Sequence, residues 1–568
     1  MGRPDLGHAR NRRGDGTLKS RLTAREKSKL RTLSESLVGK EKISSICAYG
    51  SKVAGYARED SGYDMIIVTK DLDGSIRYVQ NQEPIQSSAL IVEETALRED
   101  AKQSSLGEFV VGRLLNIYEP IVNPEFLRSV EVEYKKRVIA EELIEIQSDY
   151  GDFSSNLIIP YEYFLFDKLH KRALVYPHVI YSYDHTYTCA RRKENKEFTV
   201  RGFREAAASL ASQGIVESTN ESVRINRSMP SASLLSKIIS MFSSTSTDVA
   251  QYAIHGSAGG VGSEIVKTGA LSKVGRMGGT VEPLVELNRP KRLLYLEEGL
   301  LFDDANKITE ELAQMSGFGK TYSHKVEKKG EIYTSTELLE ISGHGRHVYY
   351  ILKHFPDLKS IKWGLLNLWA FTAKKFDMSP LSRLQREYEA VKRVRKLGIK
   401  THNIIGIAFH ERILVTAYVK GVSLSKFVEE ITNGKGTGTE YIEKYGQILG
   451  KLHKAGLVYG DTKAENAIVC KGEIYLFDLE QAVENGDTAW DLAEFLYYSA
   501  KDAVKEEGMK LVAEAFLTGY RSENDGQAIA KAKGIRYLAP FQPFVSASMR
   551  SVVRDALGRY SSAGEADL

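Results

Sequence analysis

Three polar residues near the C-terminal end of the chain have the types and the spacing that phosphoryl transfer needs. Asp461 lies five residues before Asn466, and Asp478 follows Asn466 by twelve. The segment between Asn466 and Asp478 reads as two short apolar strands joined by Lys471-Gly472, which predicts a β-hairpin. Such a hairpin would bring Asn466 and Asp478 to neighbouring strand ends, where their oxygens suit Mg²⁺. Asp461 is then left to orient the nucleophile, which the same chemistry requires.

A lysine and a glutamate earlier in the chain could hold the phosphates of a nucleotide. Lys353 ends an apolar strand that begins at Val348. Glu387 follows in a predicted helix capped by Ser379, and it lies three residues after Leu384, so it falls on the buried face. A buried glutamate requires a partner, and Lys353 is the obvious one. For Lys353 taken alone, a solvent-exposed strand end is the alternative.

The elements that must position these residues read as α/β over residues 329–499, and the sequence beyond them reads as helical. Residues 231–328 are rich in serine and then in glycine, which predicts a linker and connecting segment. Residues 36–150 again alternate strand and helix patterns. We therefore expect a multidomain protein that combines α/β and α+β folds.

Two regions of the N-terminal half could contact nucleic acid. Residues 1–35 form a basic arm that could bind the phosphates of RNA or DNA; a solvated tail is the alternative. In residues 151–230, a helix predicted from about Thr199 to Ser212 precedes a predicted hairpin, which is the outline of a winged helix. Arg201 and Arg204 would project from this helix towards a duplex. An ordinary helical linker domain is the alternative.

The segment 459–466, Tyr-Gly-Asp-Thr-Lys-Ala-Glu-Asn, with Asp478-Leu479-Glu480 a dozen residues on, resembles the catalytic loop and metal aspartate of protein-kinase-like folds. It is most similar to the RIO and KEOPS-associated atypical kinases. The resemblance implies a bilobal kinase-like domain over residues 329–568, which uses ATP and Mg²⁺ to phosphorylate serine or threonine, or to hydrolyse ATP. The short distance from Asp478 to Trp490 leaves no room for a long activation segment, as in that group.

The resemblance also implies roles for individual residues, which are as follows: Asp461 and Lys463 in catalysis; Lys353 and Glu387 in nucleotide binding; Gly343 and Gly345 as a thin glycine-rich loop over the phosphates; Asn466 and Asp478 as ligands of Mg²⁺. One departure is that Asp478-Leu479-Glu480 stands where many kinases have Asp-Phe-Gly. The phosphate acceptor, a protein or an RNA, is not indicated by these motifs.

An N-terminal segment that begins Gly50-Ser51 and contains Asp64 resembles the nucleotidyltransferase family of minimal nucleotidyltransferases and polymerase-β-like enzymes. The resemblance implies that Gly50 and Ser51 hold triphosphate oxygens and that Asp64 and Glu93 bind metal ions. The chain departs from the pattern at Gly62, where the family has its first aspartate. We therefore expect a nucleotidyltransferase-like fold with weak or absent transferase activity, retained for binding nucleotide or RNA.

The composition excludes several classes of protein. The 568 residues carry 78 lysines and arginines against 74 acidic residues, and 42% are hydrophobic, so the chain is neither disordered nor collagen-like. Its three cysteines form no Cys-x-x-Cys pair, which supports neither a zinc ribbon nor a disulfide framework. No apolar run approaches the roughly 18 residues of a membrane helix, and the N-terminus lacks a secretory signal pattern. We expect a cytoplasmic protein.

Three hypotheses for the function follow from these patterns. The first is an atypical ATP-dependent serine/threonine kinase, or a kinase-fold ATPase, with a weakened nucleotidyltransferase-like domain. The second is a nucleotidyltransferase that modifies RNA or protein and is regulated by the kinase-like domain. The third is an adaptor without enzymatic activity that binds nucleic acid through the basic arm and the winged helix.

Overall fold

In the computed structural model the chain forms two compact units, residues 1–295 and 296–568. The structure describes residues 20–72, 74, 76–227, 236, 238, 284–329, 335–357, 379–435 and 437–562. The first part of the predicted basic arm and most of the predicted linker lie outside the described residues. The predicted mixed α/β multidomain architecture is confirmed.

The first unit contains a mixed sheet, several helices and a small second sheet. Its elements in chain order are α1 (Ala24–Val38), β1 (Ile43–Tyr49), α2 (Ser51–Ala54), β2 (Tyr63–Thr69), β3 (Ile76–Asn81), β4 (Ser87–Glu93), α3 (Glu94–Gln103), β5 (Tyr118–Val122), α4 (Pro124–Tyr150), β6 (Leu157–Pro160), α5 (Tyr161–Val175), α6 (Val179–Thr188), α7 (Arg192–Ser212), β7 (Val216–Ser218), β8 (Ser222–Ile225) and α8 (Val285–Asn288).

The larger sheet of this unit has the strand order β3-β4-β2-β1-β5. Strand β1 is antiparallel to both β2 and β5, whereas β2 and β4 run parallel. The central strands are nearly continuous apolar runs and are buried along most of their length, as expected for strands covered on both faces. Helices α1 and α4 contact β1.

The predicted winged-helix region, residues 151–230, belongs to the same compact unit as residues 36–150. The predicted helix followed by a hairpin is present, but α7 begins at Arg192, seven residues before the predicted start. The two regions join because α4, a 27-residue helix, packs against α7. There, the buried Lys135 Nζ donates to the buried Glu131 carboxylate at 2.7 Å and to the Thr199 carbonyl at 2.7 Å.

The structure places the two arginines assigned to duplex recognition in different surroundings. The Arg204 guanidinium donates to Glu197 at 2.6 Å and to the carbonyl of Asn220, in the β7–β8 turn, at 2.8 Å. Arg201 is exposed and lies over the Phe198 ring, 5.8 Å from its centroid. Because Arg204 is engaged within the unit, it is poorly placed to reach a duplex.

The second unit contains a six-stranded sheet followed by a mainly helical region. Its elements are β9 (Tyr295–Leu296, which begins in the first unit), β10 (Leu300–Leu301), α9 (Ile308–Met315), β11 (Ser323–Lys329), β12 (Ser335–Gly343), β13 (Arg346–His354), α10 (Pro380–Lys396), β14 (Lys400–Thr401), β15 (Ile404–Ala408), β16 (Ile413–Ala417), β17 (Val422–Ser423), α11 (Leu424–Thr432), α12 (Thr439–Lys454), β18 (Leu457–Val458), β19 (Ala467–Cys470), β20 (Glu473–Leu476), β21 (Val483–Glu484), α13 (Thr488–Lys501), α14 (Glu506–Arg521), α15 (Gln527–Ala532), α16 (Ile535–Leu538) and α17 (Ala547–Ser562).

The second unit begins at residue 296, whereas the sequence patterns placed residues 296–328 in the connecting segment. The six strands have the order β10-β15-β16-β13-β12-β11. Phe302, Ile308 and Leu312 are buried in one cluster with side chains of this sheet. Because β10 has two residues and α9 eight, both are too short to show a clear periodicity in the sequence.

Helices α12 and α14 pack closely in the mainly helical region. A Cβ atom at Gly519 would lie 1.9 Å from the Glu443 carbonyl oxygen, and one at Gly446 would lie 2.1 Å from the Phe516 carbonyl oxygen. Glycine is therefore required on both helices for their backbones to approach. None of the helices in the described part of the chain is both long and apolar enough to cross a membrane.

Candidate active site

Lys353, on β13, is the centre of a cluster of three carboxylates. Its Nζ lies 2.5 Å from Oε2 of Glu387 and 2.7 Å from Oδ1 of Asp478. A third carboxylate, that of Glu480, lies 3.2 Å away. The predicted pair of Lys353 and Glu387 is therefore present, and it is joined by residues more than 90 positions further along the chain.

The electrostatics of this cluster follow from its burial. Burial acts to lower the pKa of Lys353, but Asp478, Glu387 and Glu480 together raise it well above its usual value. Burial raises the pKa of Glu387 to about 7, although Lys353 acts against this shift. For Asp478, burial acts to raise the pKa, but Lys353, Lys463 and Arg383 together lower it. Lys353 is thus held as a cation in a site where negative charge is in excess.

Helix α10 is tied to the site at its first turns. Ser379 caps the helix by accepting from the backbone N–H of Ser382, as the sequence predicts. One turn before Glu387, the Arg383 guanidinium donates to Oε1 of Glu480 at 3.1 Å and to the Pro356 carbonyl at 2.6 Å. The helix that supplies Glu387 is therefore bound both to the chain after β13 and to the segment that carries Asp478.

The loop between β18 and β19 holds Asp461 and is fixed by a buried aspartate of α13. Asp491 accepts from the backbone N–H of Tyr459 at 2.7 Å and of Gly460 at 2.8 Å, and it lies 3.0 Å from Nε2 of His453. Gly460 has φ +86°, a left-handed conformation that glycine adopts without strain. Asp461 follows directly, so its position is set by the backbone and not by its own side chain.

Asp461 is linked to two further residues of the same loop. Its Oδ1 lies 2.9 Å from Nζ of Lys463, and its backbone carbonyl accepts from Nδ2 of Asn466 at 2.9 Å. Because the Asn466 amide nitrogen is used in this way, its oxygen is the group that remains to face a cation. The loop brings these three residues together as the sequence predicts.

The predicted hairpin is present and brings Asn466 and Asp478 to adjacent strand ends. Ala467 of β19 is paired with Leu476 of β20, and the Phe477 N–H donates to the Asn466 carbonyl at 2.9 Å. Asp478 comes next and has φ +53°, a left-handed conformation that aspartate tolerates better than most residues.

The oxygen atoms in this cluster suit a divalent cation. Single oxygens of Glu387, Asp478 and Glu480 lie within 4.8 Å of one another. Mg²⁺ prefers such hard oxygen ligands and is commonly held by one or two carboxylates together with substrate phosphates. Asp478 belongs to this cluster, and Asn466 lies at the adjacent strand end. The metal-binding role of these two residues stays a prediction.

The structure does not bring Gly343 and Gly345 to Lys353. Both lie at the turn of the β12–β13 hairpin, where Gly343 is paired with Arg346, whereas Lys353 is paired with Thr336 at the other end. Seven residues of strand at about 3.3 Å each separate Arg346 from Lys353, which is about 23 Å. Residues 330–334, which connect β11 to β12, lie outside the described residues.

The predicted site in the first unit is assembled only in part. Gly50 has φ +80°, and a Cβ atom there would lie 2.2 Å from Oδ2 of Asp64, so the Gly50-Ser51 turn lies directly against this carboxylate. Burial raises the pKa of Asp64, with Arg113 acting against the shift. The turn and Asp64 thus lie together as predicted.

Glu93 does not join Asp64. In the parallel pair of β2 and β4, Asp64 is opposite Ser88 and Glu93 is opposite Thr69, five residues along β2 from Asp64. At about 3.3 Å a residue this offset is about 16 Å. Among the described residues, two carboxylate clusters have metal-like spacing, and neither includes Asp64 or Glu93.

Sequence reasoning missed three residues at the main site: Arg383, His402 and Glu480. His402 is buried next to Glu387, with Nε2 3.9 Å from Oε1, and burial lowers its pKa to about 3, so it is neutral. Arg383 lies four residues before Glu387, a spacing that puts both on one helix face. The sequence alone therefore indicates that Arg383 lies near the site. For Glu480 and His402 the contacts are long-range, and the local sequence carries no sign of them.

Comparison with known proteins supports a kinase-type region in the second unit. Residues 371–496 match the family model described as RIO domain. A KEOPS complex subunit Bud32 of Pyrococcus abyssi is 27% identical over 152 residues, which is 26% of this chain and 68% of the relative. A probable serine/threonine-protein kinase BUD32 homolog of Archaeoglobus fulgidus is 24% identical over 157 residues, 27% of this chain and 74% of that protein.

Two further similarities are more limited. A probable bifunctional tRNA threonylcarbamoyladenosine biosynthesis protein of Methanosarcina barkeri is 26% identical over 190 residues, a third of the length of each protein. The solved structure of an aminoglycoside phosphotransferase mutant with ADP and hygromycin B covers 46% of this chain and 99% of its own at 12% identity; its TM-score of 0.23 is too low to carry an argument. Residues 371–496 are therefore similar to the RIO domain, and the Bud32 relatives support a kinase-like region in the second unit.

Proposed function

We propose that this protein is an ATP-dependent phosphotransferase whose second unit transfers the γ-phosphate of ATP to a serine or threonine hydroxyl, or to water. One observation carries the proposal: Lys353, Glu387 and Asp478, from three separate elements, meet within hydrogen-bond distance. The Asp461 loop ends at the same hairpin as Asp478. This arrangement supports the proposal that the residues expected from the kinase resemblance belong to one site.

In this proposal the residues of the chain have separate tasks. Lys353 binds the nucleotide phosphates while Glu387 keeps it oriented. Asn466 and Asp478 would supply oxygen ligands for Mg²⁺. The bound Mg²⁺ would neutralise negative charge on the phosphates of ATP, which carries the phosphoryl group. Asp461 orients the acceptor hydroxyl and takes its proton at a carboxylate oxygen. Electrostatic positioning of this kind accounts for most of the catalysis in phosphoryl transfer.

Lys463 supports transfer from the same loop. It lies 2.9 Å from Asp461, and the carboxylates of Asp461 and Glu494 raise its pKa above the usual value against the effect of burial. A cation at this position stabilises both the Asp461 carboxylate and the negative charge of a transferring phosphoryl group. Its match to the lysine of serine/threonine-specific kinases supports a hydroxyl acceptor.

The test follows label from ATP carrying ³²P at either the γ or the α phosphate. Purified wild type, Asp461→Ala and Asp64→Ala are each incubated with Mg²⁺ and ATP, and label is followed in protein, added RNA and free phosphate. We expect transfer from the γ position alone, reduced by at least about a hundredfold in Asp461→Ala, since one general base contributes about 10²–10⁴ in rate. Asp64→Ala should behave as wild type.

Asp502→Ala provides the matched control, because this aspartate is 76% exposed. Its turnover should equal that of wild type. Transfer from the α position that is lost with Asp64→Ala would overturn the proposal and make the first unit the enzyme. Unchanged γ transfer in Asp461→Ala would remove this residue from the mechanism.

The partners of the chain are part of the same proposal. The relatives named as KEOPS and tRNA-modification proteins favour an acceptor or partner connected with tRNA modification. The sequence similarity covers only about a quarter to a third of this chain, so this extension rests on analogy from the matched region. Label recovered in a partner protein or in tRNA in the experiment above would identify the acceptor.

A further inference from the structure

Three aromatic rings lie in a row on the first unit, outside the site described for Asp64. The rings of Tyr181 and His185, one turn apart on α6, have centroids 3.9 Å apart at an interplanar angle of 31°. The Tyr56 ring lies 5.6 Å from that of His185. Tyr181 is 45% exposed, and the side chain of His185 is 34% exposed. The row therefore presents ring surface to solvent and is not part of a closed core.

The row is held in place by hydrogen bonds at its edges. The Tyr56 hydroxyl lies 2.7 Å from the Ser182 hydroxyl, and the Tyr181 hydroxyl accepts from the Arg58 guanidinium at 3.4 Å. His185 Nδ1 lies 2.9 Å from the Tyr181 carbonyl. These bonds use the ring edges, and the Tyr181 and His185 rings cover each other's facing sides. The outer face of Tyr181 is therefore the ring surface that is left for a planar ligand.

Cationic side chains border the row on two sides. Arg58 lies at one edge, and Arg191, three residues after the end of α6, is exposed. Arg191 is brought to the same place by Gly55: a Cβ atom at Gly55 would lie 2.7 Å from Cδ of Arg191. The arginine chain therefore packs over the turn that leads to Tyr56.

The acidic groups near the row limit its positive charge. Asp184 is buried and accepts from the Leu284 N–H at 2.9 Å. Glu59 and Asp60 follow Arg58 and are exposed. Charge alone would therefore attract an anionic ligand weakly, and the rings must supply most of the binding energy. Stacking on an aromatic ring contributes about 1–3 kcal/mol per base in proteins that bind single strands.

We propose that the outer face of Tyr181, supported from behind by His185 and Tyr56, is a stacking site for an unpaired base of a single-stranded nucleic acid, with Arg58 and Arg191 on its phosphates. A duplex does not fit this role, because its bases are already stacked and expose no ring faces along the helix. The rings and cations that carry this proposal lie in the first unit, so it does not depend on the phosphotransferase function proposed for the second.

The test measures anisotropy of fluorescein-labelled oligouridylate, oligothymidylate and a duplex of the same length, with the full chain and no nucleotide. We expect Tyr181→Ala to weaken binding of a single strand by about fivefold or more, whereas Tyr181→Phe, which keeps the ring, should stay within about twofold. Tyr78→Ala, at an exposed tyrosine of β3, is the control and should bind as wild type.

A second readout is spectroscopic. Because Tyr181 is largely exposed, Tyr181→Trp should fold normally, and its indole emission should be quenched when the single strand binds but not when the duplex is added. The proposal is overturned if Tyr181→Ala and wild type bind the single strand equally, if the duplex binds as tightly as the single strand, or if neither oligonucleotide binds. A circular dichroism melt confirms that each variant is folded.

Discussion

Glu480 is a carboxylate two residues after Asp478, and it contacts two cations at once. It lies 3.2 Å from Nζ of Lys353 and 3.1 Å from the Arg383 guanidinium. Leu479 between the two acids is fully buried, which fixes the direction in which Glu480 points. When nucleotide phosphates occupy Lys353, Arg383 remains as the partner of Glu480. We therefore interpret the Arg383–Glu480 pair as the device that keeps α10 against the site.

A double-mutant cycle on this pair tests that interpretation. Arg383→Ala and Glu480→Ala should each lower kcat/KM for ATP turnover, and the double variant should be little worse than the more damaged single one. The reason is that each single change already removes the contact between Arg383 and Glu480. Residues in contact show coupling energies of about 0.5–3 kcal/mol. Steady-state phosphate release gives the four rates.

The control for the cycle is Arg393→Ala, on the same helix with a half-exposed side chain. It should leave kcat/KM unchanged. Independent, multiplicative effects of Arg383→Ala and Glu480→Ala would show that the pair does not act as a unit. Thermal melts of each variant separate a loss of fold from a loss of positioning.

At the scale of elements, the catalytic region illustrates what local sequence can and cannot show. The β19–β20 hairpin was predictable because its turn, Lys471-Gly472, lies within the hairpin itself, and both turn residues have positive φ as this short turn requires. The positions of Gly343 and Glu93 relative to their sites depended on strand register and strand direction. These properties are set by pairing between distant segments, which a single sequence does not reveal.

The close packing of α12 and α14 gives a prediction for stability. Gly519→Ala should destabilise the protein by about 1–3 kcal/mol, the usual cost of overpacking, because the added methyl would overlap the Glu443 carbonyl. Gly558→Ala, in α17, should instead be neutral or slightly stabilising. Its nearest neighbour is the flexible end of Lys533 at 3.4 Å, and alanine favours a helix over glycine by about 1 kcal/mol.

Chemical denaturation of the two variants and wild type measures both effects. Loss of stability in Gly558→Ala equal to that in Gly519→Ala would show that the close approach of the helices is not the cause. The slope of the unfolding curve shows whether the two units unfold together.

On the scale of the whole molecule, the proposed sites lie in different compact units. The Lys353 cluster belongs to residues 296–568, and the aromatic row belongs to residues 1–295. The sequence predicted two chemically distinct halves from motifs alone. The boundary predicted from the sequence is residue 329, because the short elements before it show little periodicity. The burial of Phe302 and Leu312 depends on the folded sheet, so the sequence pattern does not indicate it.

If the units act independently, changes in one should leave the other unaffected. We expect Asp461→Ala to bind the single strand within about twofold of wild type, and Tyr181→Ala to turn over ATP at the wild-type rate, because each change lies in the unit whose activity is not measured. Anisotropy with and without ATP, and phosphate release with and without oligonucleotide, provide the measurements. The two units communicate if ATP changes the affinity for the oligonucleotide in wild type but not in Asp461→Ala. They also communicate if the oligonucleotide changes ATP turnover in wild type but not in Tyr181→Ala.

The left-handed backbone at Asp478 restricts what can replace this residue. Glycine adopts that conformation freely, and asparagine and aspartate adopt it more readily than most other residues. An alanine there would combine strain of about 1–3 kcal/mol with the loss of a carboxylate. Asp478→Asn removes the charge while preserving the backbone, which makes it the better inactive variant for trapping bound nucleotide. For the same reason, a descendant of this protein that gave up phosphoryl transfer but kept its fold would be expected to carry asparagine or glycine at this position.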